Sequence, residues 1–168
     1  LIRTRQRTWV TLDGVSEADL LRVHSPLLSP IVWDLAHIAA FADLWVANVL
    51  GGEMLRPELA ETYDAGVTPR AERAALELLD LAGAKAYLAR VDDRLHHTLA
   101  TLDLSPDSPD PLLRDGFLVD LLVDHEEQHR ETILQALHFA TPVVLGVGPR
   151  AAWSPATPDG PMQAEIPP

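Results

Sequence analysis

Hydrophobic positions recur along this chain at helical rather than strand spacing, and the breaks between them mark out four segments. The first, Glu17 to Val23, is short and stops at His24-Ser25-Pro26, where Pro26 and Pro30 forbid a continuous helix. Ser29-Pro30 then has the order of an N-cap followed by a first-turn proline, which predicts a long helix over Ile31 to Leu50, closed by Gly51-Gly52. Residues 53–70 carry Pro57, Gly66 and Pro69 with mixed polarity and read as an ordered loop. From Ala71 to Leu102 the positions Leu76, Leu79, Ala86, Val91, Leu95 and Leu99 follow a helical period, with Gly83 as a point of bending or division. Ser105-Pro106-Asp107-Ser108-Pro109-Asp110-Pro111 breaks the chain again before a last long helix, Leu112 to Phe139. After Pro142 no period is visible beyond the brief Val143-Val144-Leu145 run, and Trp153 is the one large aromatic residue there. The expected fold is all-α: an antiparallel four-helix bundle with one long crossover loop, spanning residues 1–141, and an irregular linker or C-terminal arm over 142–168.

Composition supports one folded domain, since 168 residues of which 47% are hydrophobic can bury a real core. The most apolar stretch is interrupted by Asp34, His37, Asp43 and Asn48, so it does not read as a membrane span. No basic, apolar leader opens the sequence, and cytoplasmic residence is the expectation. A formal charge of −12, from 13 Lys plus Arg against 25 Asp plus Glu, repels nucleic-acid phosphates and anionic lipid. The chain has no cysteine, which removes disulfides, thiolate ligands and a cysteine nucleophile, so a transition-metal site here must use His, Asp or Glu.

His125-Glu126-Glu127-Gln128-His129 places two imidazoles one helical turn apart on one face, where both can reach a single ion. His37, mid-helix within Trp33-Asp34-Leu35-Ala36-His37-Ile38, is the best third donor, because a histidine among apolar neighbours needs a partner. Three neutral imidazoles leave coordination positions open, as catalytic sites require. The same residues also admit a plainer account: an HxxxH pair can be polar helix surface and His37 a satisfied core histidine, and whether His37 faces the pair is decided only by the fold. Asp34, Asp124, Glu126, Glu127 and Glu131 can orient an imidazole or simply be solvated. The string also has the HExxH form of zinc proteases, which a helical setting and an early His37 fit poorly. His96-His97 point a third of a turn apart and read as surface, as does His138, while His24 precedes the proline-containing linker.

The segments Ser29-Pro30-Ile31-Val32-Trp33-Asp34-Leu35-Ala36-His37-Ile38-Ala39 and His125-Glu126-Glu127-Gln128-His129-Arg130-Glu131-Thr132-Ile133-Leu134, in this order, resemble the DinB-like amino-terminal domain of ergothioneine-biosynthesis sulfoxide synthases and the related selenoneine-type enzymes. The resemblance covers roughly residues 5 to 140. It implies that His37, His125 and His129 hold Fe(II), with Zn or Ni as substitutes. It also implies that dioxygen is used to couple a small-molecule thiol to the imidazole of hercynine, a histidine betaine, forming a carbon–sulfur bond and a sulfoxide. Gln128 matches a position that contacts the imidazole substrate, and Arg70 and Arg73 lie in a loop that holds the thiol substrate's carboxylate.

Enzymes of that family carry a further domain resembling formylglycine-generating enzyme, which supplies a catalytic tyrosine; Pro142 to Pro168 is too short to provide it. The expectation is therefore an amino-terminal part of a longer enzyme, or a half that works with a separate C-terminal domain. Two other readings compete: a stand-alone DinB-like thiol S-transferase, in which zinc holds a thiolate, and a non-catalytic helical interaction module. A homodimer is compatible with either, although no heptad seam specifies one.

Overall fold

The computed structural model describes residues 1–140, which form five α-helices and no strand. The helices are α1 (Ile2–Thr11), α2 (Glu17–Leu21), α3 (Ile31–Leu50), α4 (Leu81–Leu99) and α5 (Phe117–Phe139). The expected arm over 142–168 and its Val143-Val144-Leu145 run lie outside the described residues.

α3 is the central element, packed against α2, α4 and α5, and α1 lies on α5. Every side chain from Ile31 to Ala40 is buried. Each large apolar side chain in that run contributes about 1.5–3 kcal/mol on burial. That gain lets the helix carry Asp34, His37 and Asp43 inside, provided each is hydrogen-bonded. α3 ends where Gly51 turns left-handed at φ 63°, a conformation that costs an L side chain about 1–2 kcal/mol.

Several boundaries differ from the expected ones. Pro30, rather than Ser29, caps α3, and the Ser29 hydroxyl accepts from the Arg73 guanidinium at 2.9 Å. The expected 71–102 helix begins only at Leu81, where the Asp80 carboxylate accepts from the Gly83 amide at 2.6 Å. Before it, Arg70–Ala75 forms a 3-10 turn, and the Leu79 amide donates to the Tyr63 hydroxyl, while Leu78 and Leu79 pack against the core instead of continuing a helix. Gly83 therefore sits in the first turn of α4 and divides nothing. α5 starts at Phe117 rather than Leu112, because Asp115 (φ 54°) and Gly116 (φ 75°) are both left-handed. α1 was not expected at all: it buries Thr4, Arg5 and Thr8 and so has no apolar stripe to reveal it.

The 51–80 connection is fastened at Asp43, which is fully buried. Its carboxylate accepts from the Leu55 and Arg56 amides at 2.7 and 3.2 Å, from the Tyr87 hydroxyl at 2.8 Å and from Arg94 at 3.2 Å. The loop is thereby held against α3 and α4, and its next residues reach His37. Among the described residues, no helix is long and apolar enough to cross a membrane.

Candidate metal centre

α3 directs His37 toward α5, and α5 returns His125 and His129 one turn apart, so that one ring nitrogen from each lies within 4.8 Å of the others. The Nε2 atoms of His37 and His125 are 3.1 Å apart. Nitrogens about 2.1 Å from one ion sit roughly 3–3.4 Å apart at tetrahedral or right-angled positions. That pair therefore already has the spacing of two ligands, while a pair at the full 4.8 Å has to close by roughly 1.5 Å. His37 is buried and the other two are half-buried.

The hydrogen-bond partners decide which nitrogen each ring presents. The Tyr63 carbonyl lies 2.6 Å from His37 Nδ1, and a carbonyl only accepts, so Nδ1 carries the proton and Nε2 keeps its lone pair. Asp34 Oδ1 lies 2.9 Å from His129 Nδ1 and selects the same tautomer there. His125 then donates its Nε2 proton to His37, and moving that proton to Nδ1 leaves three bare Nε2 atoms. The set fits a divalent metal of borderline softness: neutral nitrogen donors, two of them oriented from behind. Burial, followed by the nearby His129, lowers His37 to about 4. Burial, then His129 and His37, lowers His125 to about 3. Both rings are thus neutral, the ligating form, at ordinary pH.

An aromatic ladder on α3 surrounds this centre. Trp33, His37, Phe41 and Trp45 recur every four residues on one face. Trp33 stacks on His37 with centroids 4.8 Å apart and planes at 14°, and donates its indole N–H to the Thr62 carbonyl. Phe41 stacks on His125 at 3.6 Å and 9°. The sequence reading missed this ladder, although its four-residue spacing was a usable signal. Beside it, a cavity of about 400 Å³ is walled by Phe41, Leu44, Trp45 and Met54, reaches His37, and has Glu61 and Asp64 on its lining. A second cavity, of about 600 Å³ between α1 and α4, touches none of the three histidines.

The remaining candidates separate clearly. Gln128 is exposed on α5 between the two ligand-type histidines. Arg70 is exposed and donates to the Leu27 carbonyl at 2.7 Å. Arg73 is buried, its guanidinium 3.6 Å over the Trp33 ring and bonded to the Thr68 carbonyl and the Ser29 hydroxyl. Asp34 is the acidic residue that orients an imidazole. Glu126 turns instead toward α1, fully buried with Arg5 at 3.2 Å and Thr8 at 2.7 Å, and burial raises its carboxyl pKa. Glu127 pairs with Arg7 and Arg130, while Asp124 and Glu131 are exposed. His96, His97 and His138 are exposed as expected, and His24 is tied to the Asp19 carbonyl outside the cluster.

Comparison with known proteins adds three observations. A family model described as the DinB superfamily matches residues 1–133. Proteins named hercynine oxygenase are similar to this chain: that of Mycolicibacterium thermoresistibile is 42% identical over 144 residues, 83% of this chain and 30% of that protein. Those of Mycolicibacterium smegmatis and Mycobacterium tuberculosis are 41% and 38% identical over 88% and 84% of this chain, and 33% and 32% of their own lengths. The chain thus spans about a third of the length of the curated relatives it matches.

Proposed function

The chain belongs to the DinB superfamily, and from that premise we propose that it is the metal-holding part of a non-haem iron enzyme acting on hercynine. The observation that carries this reading is the pair of hydrogen bonds, Tyr63 carbonyl to His37 and Asp34 to His129, which turn Nε2 lone pairs from two helices toward one point. His37, His125 and His129 are the proposed ligands. Bound there, Fe(II) supplies open coordination positions and electrons for chemistry with dioxygen; Zn or Ni can occupy the same nitrogens as substitutes.

The reaction we assign to the whole enzyme joins a thiol R–SH to an imidazole C–H: R–SH, Im–H and O₂ give the sulfoxide R–S(O)–Im and water. One oxygen atom goes to sulfur and the other leaves as water with the two hydrogens, so dioxygen takes four electrons. This chain's own residues contribute position. Asp34 and the Tyr63 carbonyl orient the ligands, and Phe41, Leu44 and Trp45 give the cavity that reaches His37 an apolar wall. To Gln128, exposed between His125 and His129 in sequence, we assign the contact of its amide with the imidazole substrate. Arg70 is an exposed guanidinium for the thiol substrate's carboxylate; Arg73 would first have to give up its bonds to Thr68 and Ser29.

We read α1, α3, α4 and α5 as the antiparallel four-helix bundle, with 51–80 as its long crossover. The contacts of α3 with α4 and α5, and of α1 with α5, support that reading. On this reading residues 1–141 are the metal-binding domain, 142–168 a linker or C-terminal arm, and a C-terminal domain beyond this chain or separate from it completes the pocket, in keeping with relatives about three times as long.

The test is the full-length protein containing this chain, supplied with Fe(II), hercynine, a thiol such as cysteine, and oxygen. Sulfoxide formation with matching oxygen uptake is expected, and thiol transfer that proceeds equally without oxygen on a zinc-loaded protein would overturn the reading. Asp34→Asn keeps an acceptor for His129 but removes the charge, and its metal affinity should fall about 10–100-fold, measured by chelator competition.

A further inference from the structure

The three histidines are not held alike. His37 is fixed from behind by a carbonyl and His129 by a carboxylate. Among the described residues, His125 Nδ1 has no such partner, and its single hydrogen bond runs through Nε2 into the cluster itself. A metal-binding imidazole whose outer nitrogen is unbonded can swing about its side-chain bond unless packing stops it. Here packing is supplied by one ring: Phe41 lies parallel to His125, 9° from coplanar with centroids 3.6 Å apart, closer than any other aromatic contact of the three histidines.

Phe41 is itself held in place. It sits one turn beyond His37 on α3, meets Trp45 at 6.0 Å, and lines the cavity that reaches His37. The helix that supplies one histidine thus also supplies the plane against which another is aligned.

On the metal-binding reading above, we infer that Phe41 is a positioning residue whose flat face sets the orientation of the His125 ring, replacing the hydrogen-bonded partner that the other two histidines have. Loss of the ring face, with the side chain kept apolar, frees His125 to rotate away from the shared point. The metal then has to restrain it, and affinity falls as it does when an oriented ligand loses its outer partner, about 10–100-fold. The shape of the side chain matters here, not its hydrophobicity, which separates this role from ordinary core packing.

The experiment uses the purified chain and cobalt(II) as the metal, because its visible absorption reports ligand geometry and its affinity can be read by competition. Phe41→Leu removes the ring, Phe41→Met is a second ring-free variant should the leucine form fail to fold, and Phe41→Tyr restores a flat face. Wild type should bind one ion. The ring-free variant should bind about 10–100-fold more weakly with altered cobalt bands and an unchanged helical circular-dichroism signal, and Phe41→Tyr should return both affinity and spectrum to the wild-type values. Wild-type affinity and spectrum in a folded ring-free variant overturn the inference, as does equal weakening by tyrosine. If wild type itself binds no ion, the metal reading fails first and this inference with it, an outcome distinct from the other two.

Discussion

His125→Ala is expected to abolish stoichiometric metal binding while leaving the helices intact. Among the described residues three nitrogen donors come together here, and removing one leaves a pair of imidazoles with no further His, Asp or Glu grouped with them to take its place. The loss should exceed the 10–100-fold that follows removal of an outer partner, because a metal–ligand bond itself disappears. His125 is half-buried against Phe41 and its one hydrogen bond is to another candidate ligand, so the fold depends little on it. Two measurements separate the effects. Metal content after anaerobic loading should drop from about one ion per chain to near zero in the variant. Added metal should raise the thermal midpoint of wild type, by about 4 kcal/mol of stabilisation at a thousandfold excess over its dissociation constant, and leave the variant unmoved. Near-stoichiometric metal retained by His125→Ala would refute the ligand assignment.

The largest stability effect should come from a residue that never touches the centre. Arg5 on α1 forms paired contacts with Asp92 of α4, at 3.2 and 3.1 Å, and reaches Glu126 of α5 at 3.2 Å. Glu126 is 0% exposed and lies next to His125 in sequence, about a quarter turn around α5 from the cluster. Arg5→Leu strands that carboxylate inside the protein with only the Thr8 hydroxyl, and breaking a buried pair in this way costs about 3–5 kcal/mol. For a chain of this size the melting midpoint should fall by roughly 10 °C in a differential scanning experiment. Replacing both partners, Arg5→Leu with Glu126→Met, should recover most of the loss, since a well-packed apolar pair needs no compensation for desolvated charge. A midpoint unchanged in Arg5→Leu would mean that α1 is not anchored through this pair.

How far the sequence was legible depended on whether burial was apolar. α3 was read with its observed ends, because its run of large apolar residues and its Gly51-Gly52 close are signals that local chemistry enforces. The HxxxH spacing likewise put His125 and His129 on one face without any knowledge of the fold. α1 was invisible, since its buried face is Thr4, Arg5 and Thr8, and a polar side chain becomes a core residue only when a partner far along the chain, here 118 residues away for Thr8 and Glu126, satisfies it. Leu76 and Leu79 continued a helical period, but Leu76 is extended at the end of the 70–75 turn and the Leu79 amide bonds the Tyr63 hydroxyl, a tertiary contact that outweighed propensity.

By itself the amino-acid order determined that the expected elements are helices, that the chain has no cysteine, and that His125 and His129 share one helix face. The tertiary structure alone decided that residues 88 apart face each other, which nitrogen of each ring points inward, and that Asp34, Tyr63 and Phe41 stand behind them. The reason is physical: spacing along one helix is a local property of the backbone, whereas the tautomer and orientation of an imidazole are settled by whatever atoms another element brings to its far side.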